Sequence, residues 1–198
     1  MKLYKSKDTG KIRKAMEKSL SEKRYEHTLG VAYTATALAM RYDVSLEDAF
    51  LAGLLHDCAK EIEEEKMIAM CKKHHIWMSE SEQANPSLLH AKLGGFIAMH
   101  TYHVEDPDII NAILHHTTGR PEMSRLEKII FIADYIEPGR NKAANLDAIR
   151  KLAFINLDEA LLKILSDTLE YLQERDKAID PMTGQTYQYY KEAFENTH

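Results

Sequence analysis

The chain has 198 residues and a mass of 22.7 kDa, and its 44% hydrophobic and 29% charged residues allow a buried core and exclude a wholly disordered chain. Lys and Arg total 26 against 31 Asp and Glu; the net charge of -5 has the wrong sign for a broad nucleic-acid-binding face, though a local cation cluster can still hold a small anion. The two cysteines, Cys58 and Cys71, match neither a disulfide framework nor a thiolate zinc site, so a reducing, cytoplasmic setting is expected.

The first twenty residues are charged throughout and lack the apolar centre of an export signal. The longest apolar stretches, residues 50–55 and 129–133, fall far short of the ~20 residues that span a bilayer, so no membrane association is expected. Ala, Leu, Glu, Lys and Met dominate, and runs with period-two alternation are nearly absent, which predicts an all-α protein. One domain is expected over residues 1–198, a multi-helix bundle with its core at about 20–140 and supporting C-terminal helices at about 145–196.

A first helix is predicted through Ile12, Met16 and Leu20, and a second over about 21–42, where Ala32, Ala35 and Ala39 permit close packing. Ser45 and Asp48 resemble a capping box and start a helix through Leu51 and Leu55 that should end near Asp57. Further helices are predicted at about 62–75, 87–104 and 107–116, the last with Pro107 in its first turn. Residues 117–123, TTGRPEM, read as a loop, after which Ser124 and Glu127 cap a helix carrying Ile129, Ile132 and Ile136 and stopped by Pro138-Gly139. Helices at about 145–153 and 156–177 form a supporting wall, and the tail 179–198, with Tyr187, Tyr189, Tyr190 and Phe194, should dock on the body.

Ten histidines are many for this length, and several are delivered by apolar segments. His27 lies on the second helix, His56-Asp57 follows FLAGLL, His90 follows SLL, His115-His116 follows AIL, and Asp134 follows IIFIA. Polar groups carried this way tend to be buried, and a buried Asp is costly unless it is paired or bound to a cation. Neighbouring helical residues point about 100° apart, so His56 and Asp57 share a centre most easily where their helix ends. Carboxylate has two oxygens and can bridge two cations, and the candidate set is large enough for two metals with positions left for water and substrate.

The ordered series RYEHTLGV, LLHDCAKE, LLHAKLGG, HHTTGRPEMSRLEKIIFIADYIEPGR and IDPMTGQTY resembles the HD-domain superfamily of metal-dependent phosphohydrolases, and within it the bacterial YqeK family. The resemblance runs from about Lys11 to Tyr190 and implies an HD-domain helical bundle with a C-terminal helical extension. It also implies symmetrical hydrolysis of diadenosine tetraphosphate to two ADP at a binuclear iron centre, through attack of a metal-bridging hydroxide on an inner phosphorus. Carried over, His27, His56, Asp57 and Asp134 would hold one metal, and Asp57, His90 and His116 the other. His116 is chosen because it immediately precedes TTG; the role of His115 stays open.

Lys60 and Arg140 match positions that would meet phosphate, and together with Asp57 they are the expected catalytic groups. Thr117, Thr118, Gly119 and Arg120 would line the mouth. Iron rests on resemblance alone, since histidine and carboxylate suit manganese, cobalt, nickel and zinc as well. The expected partner is a nucleotide polyphosphate, with no stable nucleic-acid complex; a homodimer is compatible with the sequence, which does not choose an oligomeric state. Hydrolysis of another nucleotide, such as a nucleoside monophosphate or guanosine polyphosphate, and a non-catalytic nucleotide-binding role stand as alternatives. Bland readings are preferred elsewhere: His74-His75 with Cys71, and His100 and His103, as solvated helix ends; 61–65 as a solvated face; the late tyrosines as packing. Glu137 is either a partner of the site or surface.

Overall fold

The computed structural model describes residues 6–175 and 179–196. Among these, eleven α-helices and one 3-10 turn account for the regular structure. They are α1 (Ser6–Ser19), α2 (Glu22–Arg41), α3 (Leu46–Leu55), α4 (Glu64–Lys73), α5 (Glu80–Ala84), α6 (Leu89–His100), α7 (Pro107–Leu114), α8 (Arg125–Ile136), α9 (Leu146–Ala153), α10 (Leu157–Glu174) and α11 (Pro181–Glu195). The all-α class expected from composition is the one observed.

Helix α3 lies at the centre, packed against α1, α2, α7 and α8, and every residue from Leu51 to Asp57 is buried. This is why FLAGLL shows no polar face: a helix enclosed on all sides has no solvent side to mark. Helix α2 approaches it closely through the small residues Ala32, Ala35 and Ala39, all fully buried. A Cβ added at Gly53 would stand 2.7 Å from the Cα of Ala32, so the closest point of this contact requires glycine. A second, smaller apolar cluster, Ala59, Met67, Cys71, Leu89 and Leu93, joins α4 to α6.

Most termini fall where capping chemistry puts them. Ser124 and Glu127 form a reciprocal capping box at the start of α8, whereas at α3 only the serine half forms, Ser45 Oγ accepting from the Asp48 N–H at 3.3 Å. The expected 87–104 helix is shorter: a 3-10 turn over Pro86–Leu88 leads into α6, which ends at His100. Helix α5 was not foreseen, because ESEQA has no apolar period; a capping box of Ser79 and Glu82 holds it, with Lys92 on Glu82 (2.7 Å) and Ser81 on Asp180 (2.6 Å). The expected end of the long helix at 177, and the last two residues of the tail, lie outside the described residues.

The tail forms α11 against α10, and its Tyr190 enters the core, the hydroxyl accepting from the backbone N–H of Met123 at 2.8 Å. The C-terminal helices thereby brace the loop that follows His116. Among the described residues no helix is long and apolar enough to cross a membrane.

Helix propensity alone would make Gly53→Ala stabilising by up to ~1 kcal/mol. The contact with Ala32 reverses the sign, and overpacking should cost about 1–3 kcal/mol. Urea unfolding of the two proteins checks this: the midpoint should fall in the variant, and a rise would contradict the packing described.

Candidate metal centre

The site is built from helix ends meeting over the buried C-terminus of α3. His56 is the C-cap of α3 and is fully buried, with Asp57 next to it at 4% exposure. Helix α2 contributes His27 from its first turns, α6 contributes His90 from its start, α8 contributes Asp134 from its last turn, and His116 follows the end of α7.

Three of the four imidazoles are oriented by the same local device. The Nδ1–H of His56 donates to the carbonyl of Gly53 (2.7 Å), that of His90 to Ser87 (2.5 Å) and that of His116 to Ile113 (2.8 Å), each three residues back along the chain. In His27 the acceptor is Glu137 Oε1, at 3.1 Å. A carbonyl or carboxylate can only accept, so each Nδ1 carries a proton, and a ring that holds no second proton turns an Nε2 lone pair inward.

The Nε2 atoms converge on two carboxylates. His27 Nε2 lies 3.1 Å from Asp134 Oδ1. Asp57 presents its oxygens in opposite directions: Oδ2 lies 3.5 Å from His56 Nε2 and 3.8 Å from His27 Nε2, while Oδ1 lies 3.3 Å from His90 Nε2 and 3.5 Å from His116 Nε2. The Nε2 atoms of His27 and His56 are buried without a hydrogen bond, and those of His90 and His116 stand only 3.2 Å apart. Orphaned, inward-facing lone pairs beside ionised carboxylates are the donor set a divalent cation satisfies. Among the described residues, two groups can converge on one ion: His27, His56 and Asp134, and His56, Asp57 and His116.

The electrostatics keep this set ready to bind. Burial opposes ionisation of Asp57, but His56 and His116 outweigh it and hold the carboxyl well below its usual range; Asp134 is lowered in the same way, chiefly by His27 against burial. Burial, reinforced by His116 and Lys60, lowers His90 to about 3, so it stays neutral near pH 7. His27 moves the other way: burial lowers it, but Asp134 and Glu137 prevail and raise it.

Three cations ring the carboxylates. Arg24 Nη1 lies 2.8 Å from Asp57 Oδ2, Arg140 Nη2 lies 2.7 Å from Asp134 Oδ1, and Lys60 Nζ lies 3.3 Å from the His90 ring nitrogens. Arg24 was missed in the sequence, although it lies one turn before His27 and therefore on the same helix face. Glu137, left open there, is 4% exposed and orients His27; a Cβ at Gly30 would meet its Oε2 at 2.6 Å.

Of the expected mouth residues, Thr117 lines a cavity with His116, Asp134 and Arg140. The other three turn elsewhere: Thr118 Oγ donates to the Gly119 carbonyl, Gly119 adopts φ +63° against Thr186, and Arg120 makes a bidentate pair with buried Glu127 at 2.7 and 2.8 Å. His115 also faces Glu127, at 3.1 Å, while His116 faces Asp57. His74 and His100 each pack against Phe96, with ring centroids 4.5 and 4.3 Å apart.

This is an HD domain: the family's model matches residues 24–139, a segment containing all six candidate ligands, and the chain belongs to that family. Within it, the chain is 37% identical over 172 residues to the symmetrical bis(5'-nucleosyl)-tetraphosphatase of Bacillus subtilis, covering 87% of this chain and 91% of that one. It is 36% identical over 182 residues to the enzyme of the same name in Staphylococcus aureus, covering 91% and 93%. A Clostridium acetobutylicum crystal structure described as a predicted HD superfamily hydrolase involved in NAD metabolism superposes with a TM-score of 0.90 at 40% identity, covering 93% of this chain and 97% of that one.

His116→Ala should lower the metal content of purified protein, whereas His115→Ala should leave it near the parent value; elemental analysis of the two decides, and the reverse order would contradict the orientation described. Metal binding must also displace the proton that Asp134 and Glu137 favour on His27. Apparent affinity in calorimetric titration should therefore fall as pH drops through the His27 value, which lies above the ordinary ~6.5, by about tenfold per unit for one displaced proton. A pH-independent affinity would contradict this.

Proposed function

We propose that the protein is a metal-dependent hydrolase that cleaves diadenosine tetraphosphate symmetrically into two ADP. The observation that carries this reading is Asp57, whose two oxygens face different histidine pairs, in a family whose similar members bear the name of that activity. His27, His56, Asp57 and Asp134 would hold one divalent ion and Asp57, His90 and His116 a second, with iron the choice favoured by family resemblance. Bound divalent ions would supply an activated water near neutral pH and positive charge beside the phosphoryl oxygens.

The protein's own groups do the rest. The backbone carbonyls of Gly53, Ser87 and Ile113, and Glu137, keep the imidazoles in the tautomer that leaves Nε2 free. Arg24, Lys60 and Arg140 rest on carboxylates and a ring that the ions would claim, so they become available to the tetraphosphate. Water oxygen bonds to an inner phosphorus and gives up one proton to solvent as the bond from that phosphorus to the central bridging oxygen breaks; the bridging oxygen leaves on the second ADP, its charge met by these cations. Thr117 would contact the polyphosphate, while Thr118, Gly119 and Arg120 would shape the loop beside it. The free thiols of Cys58 and Cys71 suit a cytoplasmic setting.

Incubation of metal-loaded protein with diadenosine tetraphosphate should yield ADP alone; ATP plus AMP would contradict symmetrical cleavage, and no turnover would contradict the reaction. Asp57→Ala should reduce the rate by roughly a hundredfold or more with loss of metal, whereas Arg140→Ala should keep its metal and raise KM. Full activity in Asp57→Ala would overturn the bridging role.

A further inference from the structure

We propose that Arg150, on α9, is a positioning residue for the reaction: it fixes the backbone from which Arg140 reaches the polyphosphate. This rests on the hydrolase reading above and extends it from the groups at the centre to a residue outside the ligand set. Arg150 spends its fork on three backbone carbonyls. Its Nε donates to Ile136 at 3.0 Å, and its Nη2 donates to Glu137 and to Arg140, each at 2.9 Å. Ile136 and Glu137 end α8, where carbonyls lack partners within the helix, so two of these bonds alone would make a helix cap. The third bond goes further. It holds the carbonyl of Arg140 itself, beyond the end of the helix. A surface ion pair does not explain the residue, since Asp147 stands 3.8 Å away on an exposed side chain and adds little.

The same turn is held from the metal side. The Arg140 N–H donates to the Glu137 carbonyl at 3.0 Å and closes the turn over residues 137–140. The Glu137 carboxylate accepts from the Gly139 N–H with Oε2 and from His27 Nδ1 with Oε1. Glycine at 139 leaves the space this needs, because a Cβ there would stand 3.0 Å from Oε2 and 3.1 Å from Oε1. The turn is thus pinned by a carboxylate that also orients a candidate metal ligand and by a guanidinium that comes from α9. The Arg140 side chain is the part left to move.

That side chain rests on Asp134, with Nη2 on Oδ1 at 2.7 Å and Nε on the backbone carbonyl at 3.0 Å. An ion that claims the Asp134 carboxylate releases the guanidinium, and its reach is then set by where the Arg140 backbone stands. A backbone already fixed spares part of the ordering cost when the tetraphosphate arrives. Arginine suits the task because its planar fork serves several acceptors at once, whereas lysine offers a point charge. Helix α9 is itself anchored by Ile149 and Ala153, both fully buried, so the guanidinium is carried on a rigid support. The HD match ends at residue 139, and α9 therefore brings this support from the C-terminal extension.

The test is a double-mutant cycle of Arg150→Met with Arg140→Ala in metal-loaded protein, at a temperature where every variant is folded. It is read by kcat and KM for diadenosine tetraphosphate and by calorimetric affinity for ADP. Arg150→Met should raise KM and weaken ADP binding about fivefold, with kcat changed less than KM and metal content near the parent's. In the Arg140→Ala background the same substitution should change either value by less than about twofold, because the group it positions is gone. Equal losses in both backgrounds would mark a merely structural role and overturn the proposal. Parent values in Arg150→Met, or loss of its metal, would overturn it as well. Should Arg150→Met not fold, Arg150→Lys, which keeps a cation at the end of α8 without the fork, is read in the same cycle by the same criteria. A parent that binds ADP but does not hydrolyse diadenosine tetraphosphate would sink the hydrolase reading instead, and the ADP affinities would still decide the role of Arg150. A parent that does neither would overturn both.

Discussion

The centre depends on hydrogen bonds that fix imidazole tautomers from behind. A neutral histidine has one lone pair, and whether it faces the interior of the site depends on which nitrogen holds the proton. Here backbone carbonyls take the Nδ1 proton of His56, His90 and His116, and the Glu137 carboxylate takes that of His27. The inward Nε2 atoms of His27 and His56 then have no protein donor, and burial removes water as a substitute. A cation resolves what would otherwise be a costly concentration of acceptors.

Helix ends supply the means. The last carbonyls of a helix lack partners within it, and His56 and His116 use such carbonyls of α3 and α7. The close approach of α2 to α3 at Gly53 brings His27 over the same point, and Gly30 leaves the room that Glu137 needs beside it. The net charge of -5 therefore says little about ligand sign: locally the site gathers Arg24, Lys60 and Arg140 around two carboxylates, and bound cations would add to that positive field.

Much of this was legible in the sequence because it is local. An apolar run ending in His-Asp is visible, as are the Ser124–Glu127 cap and the small residues of α2, and each depends on spacing along one helix. The order of histidines and acids also pointed to the family. What escaped depends on contacts distant in sequence. Nothing near Glu137 announces that it will accept from His27, 110 residues earlier. Arg120 sits in the loop after a ligand, yet its fork geometry matches Glu127 and it spends its donors there. Arg24 was readable from the helical period and was overlooked, while α5 is held by Lys92 and Asp180 rather than by a pattern of its own.

The most direct measurement is anomalous diffraction at the metal edge from crystals of the metal-loaded protein. The account predicts two peaks on opposite sides of the Asp57 carboxylate, ~3.5–4 Å apart, one within bonding distance of His27 and His56 and the other of His90 and His116. A single peak bound elsewhere, or none among these side chains in protein that still turns over substrate, would contradict it.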